Sequence, residues 1–179
     1  LRDVRILDTL LGQFNETYQM KAAEDVTAQE IKDAQKIIYY GTEEQELADS
    51  LGQLLSEREK VFVIGDNTKQ IPSFSWLQDT GEAVIDVVTY KNIQQPFPEE
   101  RIARKIETDP NNVQAWGTKE TEKFPIVAQY GALHYFASNS LLAPFDKTFF
   151  LALQDFLTLE RPAKTKYFRL EDIHPMVAR

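Results

Sequence analysis

Asp66 is the side chain best placed to do polar chemistry. It stands in Gly65-Asp66-Asn67, directly after the apolar run Val61-Phe62-Val63-Ile64. An unbroken apolar run of that length reads as a strand buried on both faces. In α/β sheets the carboxyl end of such a strand is where ligand-binding acids gather. Asp66 and Asn67 are therefore candidate ligand-binding residues, against the simpler reading of an Asx-type turn.

The chain has two histidines, His134 and His174. His134 lies in Ala132-Leu133-His134-Tyr135-Phe136, where strand alternation places it with Ala132 and Phe136. It reads either as a pocket histidine that binds ligand or senses pH, or as a half-buried sheet residue with a local hydrogen bond. His174 precedes Pro175 in an extended tail. No H-E-x-x-H is present, and two histidines at this spacing do not define a zinc site. Asp109, Asn111 and Asn112 cluster oxygens but lack the further acids of a calcium loop, so a turn is expected. Glu99 and Glu100 read as helix-start acids.

The aromatic residues Tyr90, Trp116 and Tyr130 fall in the β-rich half with Phe62, Phe74, Trp76, Tyr135 and Phe136. Such a set lines a pocket for a small organic ligand or builds a core from large side chains. Together, Asp66, Asn67, Tyr90, Trp116, Tyr130 and His134 are the expected ligand-binding set. No catalytic residue, metal ligand or cofactor is expected. None of the seven glycines falls in G-x-G-x-x-G, a P-loop or G-x-S-x-G. The absence of cysteine excludes disulfides, thiolate metal sites and cysteine nucleophiles.

The elements that must hold these residues change character near residue 60. Val4, Leu7, Leu11, Phe14 and Tyr18 recur at helical steps. Leu10 widens the seam into an apolar face that can dock on a neighbouring helix or bind another chain. Thr27-Ala28-Gln29-Glu30 is a capping box that opens a second helix carrying Ile31, Ala34, Ile37 and Ile38, with Gly41 as its end. Thr42 to Gln45 repeats the box ahead of Leu47, Leu51, Leu54 and Leu55. If Gly41 is only a kink, these two helices form one rod. Asn15-Glu16-Thr17 matches a glycosylation acceptor but falls within a helix.

After Lys60 come short β-like runs: Val61–Ile64, Ala83–Tyr90, Val113–Gly117, Pro125–Ala137 with a bulge at Gly131, and Lys166–Leu170. Pro98 opens a short helix with Ile102, Ala103 and Ile106 as its buried stripe. Asp146 caps a last helix through Leu157. The predicted fold class is α+β: a helical segment over 1–59, then over 60–179 a mainly antiparallel sheet of about four or five strands with two further helices, forming one cooperative domain. In the alternative, the third helix and Val61–Ile64 form an α/β layer with some parallel pairing. At the level of topology alone the predicted order is similar to extracytoplasmic sensor domains of the PAS/Cache type, without their motifs.

The net charge of −8 repels nucleic-acid phosphate and argues against a nucleic-acid partner. Residues 161–179 are the exception, with five basic side chains against two acidic ones. No run approaches the ~18 apolar residues that span a bilayer. The chain opens at Leu1 rather than Met, as expected either of a removed leader or of a piece cut from something longer. The reading is a non-catalytic domain of a larger, exported or membrane-tethered protein. It binds a small-molecule ligand or a protein partner, and any membrane tether lies outside this segment. Two alternatives are a carboxylate- or metal-assisted hydrolase using Asp66 and His134, and a structural assembly protein using the first helix.

Overall fold

The computed structural model describes residues 2–14, 17–42 and 46–157. Among them are four α-helices and one seven-stranded mixed sheet. The α+β class fits, but the sheet is larger than expected and a block of it is parallel. The expected strand at 166–170, the basic stretch and His174 lie outside the described residues, as do Asn15 and Glu16.

The first correction is at the front of the chain. α1 (Arg2–Gln13) forms as the seam predicts, with Leu7 and Leu11 buried. The ring of Phe14 stacks on Phe150 at 5.4 Å, so the seam is used against the helix Asp146–Leu157 of this same chain. Tyr18 lies beyond α1 and its hydroxyl donates back to Asp8 Oδ1 at 2.7 Å. α2 (Ala28–Asp33) starts at the predicted box: Thr27 Oγ1 accepts from the Glu30 N–H, and the Glu30 carboxylate accepts from the Thr27 N–H at 2.9 Å.

The helix then stops, and Ile37–Gly41 form a strand, β1. Ile37 and Ile38 satisfy a helical spacing, but two β-branched residues followed by two tyrosines favour extended backbone beside an open strand edge. That edge is β2 (Val61–Gly65), which pairs parallel to β1 with Ile37 opposite Val61. α3 (Asp49–Ser56) makes the crossover between them. The cap expected at Thr42–Gln45 does not start it, and residues 43–45 of that motif lie outside the described residues. The front of the chain is therefore a β-α-β unit, the α/β alternative that the sequence left open.

Every residue of β2 is buried, as its composition predicts. On its other side β2 pairs parallel with β7 (Leu133–Phe136), Phe62 opposite His134. The segment read as one long strand around Gly131 is a hairpin instead. β6 (Glu122–Tyr130) turns at Gly131, whose φ is 60°, and pairs antiparallel with β7.

β3 (Gln78–Tyr90), β4 (Ile93–Glu107) and β5 (Val113–Lys119) complete the order β1-β2-β7-β6-β5-β3-β4. β4 replaces the helix expected after Pro98. Among the described residues it is an edge strand, where a proline's missing N–H costs no ladder bond on the open side. Lys91 and Asn92 join β3 to β4 with φ of 46° and 69°, the doubly left-handed geometry of a two-residue hairpin turn.

Two irregularities in the β3–β4 pairing, at Thr80 and around Asp86, bend the long hairpin. Its far half returns over the middle of the sheet, and the Arg104 N–H donates to the Ala137 carbonyl at 2.8 Å. α4 (Asp146–Leu157) covers the face carrying Phe62 and Phe136, whose rings lie 6.0 and 5.2 Å from that of Phe149. One continuous core runs from Leu7 and Leu11 through Leu55 and the sheet to Leu157.

Candidate functional site

The parallel block sets the site. β1, β2 and β7 run the same way, so their carboxyl ends come out at one edge, with Gly41 opposite Gly65 and Ile64 opposite Phe136. The segments leaving that edge carry Asp66, Asn67 and Asn139. Gly65 is required there: its φ is +76°, and a Cβ would fall 1.9 Å from Asn139 Oδ1 and 2.7 Å from the Gly41 carbonyl oxygen. With no side chain at 65, Asn139 crosses the strand end and its Nδ2 donates to Asp66 Oδ2 at 2.5 Å.

Asp66 is only 6% exposed. Its other oxygen faces Arg104 Nε at 3.2 Å, and Arg104 Nη2 donates to Asp79 Oδ2 at 2.7 Å. One guanidinium from β4 thus holds two sheltered carboxylates, one from the end of β2 and one from the start of β3. Burial works against the Arg104 charge, but Asp79 and Asp66 outweigh it and raise its pKa.

Hydroxyl groups frame this triad. The Tyr135 hydroxyl donates to the Gly65 carbonyl at 2.8 Å, and burial drives its pKa well up. Tyr40 donates to the Asn139 carbonyl at 2.6 Å; burial first, then the charges of Asp3 and Asp66, raise its pKa to about 12. Asn67 Nδ2 donates to the Tyr39 hydroxyl at 2.9 Å. A cleft of ≈ 220 Å³ opens above, lined by Asp66, Asn67, Lys69, Gln70, Asp79 and Arg104. Every described side chain that lines it is polar or charged.

The structure gathers Asp66 and Asn67 from the sequence-predicted set and leaves the other four elsewhere. His134 is 5% exposed, packed between the rings of Phe62 (5.9 Å) and Phe156 (5.2 Å). It pairs with Phe62, four residues before Asp66, which puts it about 13 Å away along the strand direction. Burial lowers its pKa to about 4, and nearby Asp155 recovers only part of that shift.

Tyr90 donates to Asp155 on α4, and Lys91 bridges the same carboxylate at 2.8 Å. Trp116 is half-buried on β5, opposite Pro125. Tyr130 is 58% exposed at the end of β6, its ring 5.7 Å from that of Trp76. None of these three aromatics lines the cleft above Asp66.

Sequence reasoning missed Arg104, Asp79 and Asn139. Ser138-Asn139-Ser140 is a polar run at the end of a strand, so the rule that selected Asp66 would have found it had β7 been ended at Phe136. Arg104 and Asp79 carry no local signal, because their meeting depends on the bend of β3–β4. Among the described residues no group of three or more His, Asp or Glu side chains is arranged to hold a metal ion. No helix among them is long and apolar enough to cross a membrane.

Comparison with known proteins adds one similarity. No family model and no solved structure matches the chain. It is 28% identical over 185 residues to the uncharacterized protein YdaL of Bacillus subtilis (strain 168), an alignment covering 97% of this chain. The chain spans 31% of that relative's length.

Proposed function

We propose that this chain is a non-catalytic ligand-binding domain of a longer, exported or membrane-tethered polypeptide. It recognises a small polar molecule in the cleft at the carboxyl ends of β1, β2 and β7. One observation carries the reading: a sheltered carboxylate, Asp66, is fixed between Arg104 and Asn139 at the floor of an all-polar cleft. Open α/β layers bind ligands outside the carboxyl ends of their parallel strands. Both acids of the cleft are engaged by Arg104, an arrangement suited to holding a ligand rather than to moving protons. The hydrolase alternative draws no support from His134, which faces α4 far from the cleft. The 31% span of the relative supports a domain within a longer chain.

The test is a thermal-shift screen of small polar compounds on the wild-type chain and on Asp66→Asn. A compound that raises the melting temperature of the wild type is expected to lose that effect in the variant. An equal shift in both would remove Asp66 from the site. Fractionation of cells making the full-length polypeptide tests the export or tether.

A further inference from the structure

A second cleft, of ≈ 210 Å³, also borders Arg104 and is lined by Glu82, Ile102, Ala103 and Ser138–Ser140 as well. It has a structural cause. Arg104 is bonded to Ala137 through the backbone, and contact resumes further along, where Gln95 Nε2 donates to the Pro144 carbonyl at 2.9 Å and Phe97 meets Phe145. Between those points the 138–142 segment turns on itself. Ser138 Oγ accepts from the Ser140 N–H at 3.1 Å, and Ser140 Oγ accepts from the Leu142 N–H at 3.4 Å. Serine side chains thus take the backbone donors of this segment, and the cleft lies between it and β4.

Size decides how the two clefts are used. Small-molecule sites begin at about 300 Å³. Neither cleft reaches that alone; both border Arg104, and their summed volume exceeds it. A ligand that buries itself here must lie across Arg104.

Chemistry narrows the class. Among the described residues the charges lining the first cleft balance: Asp66 and Asp79 against Lys69 and Arg104. An anion would meet two carboxylates there and a cation would meet two positive groups, each losing hydration as it enters. Hydroxyl groups both donate and accept. They can donate to carboxylate lone pairs and accept from the guanidinium, the ammonium and the Gln70 amide. The second cleft adds an apolar shelf. Ile102 is 60% exposed and its cross-strand neighbour Val84 is 43% exposed on the same face, beside the polar segment 138–140. A ring with a C–H face and a hydroxylated edge matches that pairing.

We infer that the ligand is an uncharged, hydroxyl-rich molecule of about disaccharide size that straddles Arg104 and occupies both clefts. This deepens the proposed binding role and rests on the cleft being the binding site.

The experiment is calorimetric titration of the full chain. The probes are cellobiose, maltose, N,N′-diacetylchitobiose and their monosaccharides, with triglycine, inorganic phosphate and spermidine as other chemistries. At least one disaccharide is expected to bind with Kd below about 1 mM, about tenfold or more tighter than its monosaccharide. Ile102→Asp, on an exposed side chain, should abolish that difference. Asp66→Asn should weaken both by about tenfold or more.

Equal affinity for disaccharide and monosaccharide would overturn the two-cleft arrangement. Binding of triglycine, phosphate or spermidine that is lost in Asp66→Asn, with no saccharide bound, would overturn the ligand class and leave the site standing. If no probe responds to Asp66→Asn, both the class and the site fall.

Discussion

At the scale of single residues, the site is an electrostatic argument about Arg104. Its guanidinium holds Asp66 and Asp79, whose side chains are 7% and 10% exposed. Removing one partner from a sheltered ion pair costs ~3–5 kcal/mol, because the charge left behind is uncompensated. Arg104→Met is therefore expected to lose about that much in urea unfolding. A loss under ~1 kcal/mol would mean the triad is solvated. Asp66→Asn should cost less, since Arg104 keeps Asp79, and should leave the far-ultraviolet circular dichroism unchanged. Gly65→Ala places a Cβ in a left-handed backbone against Asn139 and Gly41. It is expected to destabilise the chain by at least ~1–3 kcal/mol; a neutral result in the same assay would contradict the close crossing of Asn139. What the sequence exposed at this scale was Asp66 and Asn67, because a polar turn after a buried strand is a local pattern. Arg104 was hidden, because its partners are brought to it by a bend in a distant hairpin.

At the scale of elements, α4 and the sheet share a histidine whose proton equilibrium is a stability term. His134 titrates at about 4 in the folded chain against an ordinary 6.5. Between those values the unfolded chain holds the proton and the folded chain does not, so folding stability rises with pH across that window and falls on acidification. The full difference is ~3 kcal/mol at 1.36 kcal/mol per pH unit. Urea unfolding at pH 7 and pH 4.5 should show most of that loss in the wild type, and His134→Gln should remove most of the slope. Glu30, held down to about 2 by hydrogen bonds from Lys21 and Thr27, titrates below this window. A slope unchanged in His134→Gln would mean that His134 is not buried as described.

α3 gives a packing test: Leu55 is 2% exposed, and Leu55→Ala should cost ~2–5 kcal/mol. The half-buried Leu51 should cost less, and the reverse order would place the wrong face of α3 on the core. Elements with their own chemistry were legible: Thr27 and Glu30 cap each other, and Val61–Ile64 has no polar face. Ile37 and Ile38 were ambiguous because adjacent apolar residues fit both a helical stripe and a buried strand. Pro98 read as a helix start because an edge strand that tolerates proline cannot be recognised before the strand order is known.

At the scale of the whole molecule, a parallel β1-β2-β7 block joins an antiparallel β6-β5-β3-β4 sheet that curls back over it. The block supplies strand ends, the curl supplies Arg104, and the cleft exists only where the two meet. The sequence predicted the α+β class but not this closure, and Ile102, expected on a buried stripe, is 60% exposed, since strand order and the return of β4 to Ala137 are long-range pairings with no local signature. The central claim is that this junction is where the molecule binds. The most direct measurement is a backbone-amide NMR titration of the isotopically labelled chain with the tightest saccharide from the calorimetric panel. The account predicts shifts confined to residues 66–70, 79, 102–104 and 138–140, with His134, Trp116 and Tyr130 unmoved. Shifts centred on Trp76 and Tyr130, or on the Tyr90–Asp155 contact beneath α4, would contradict it.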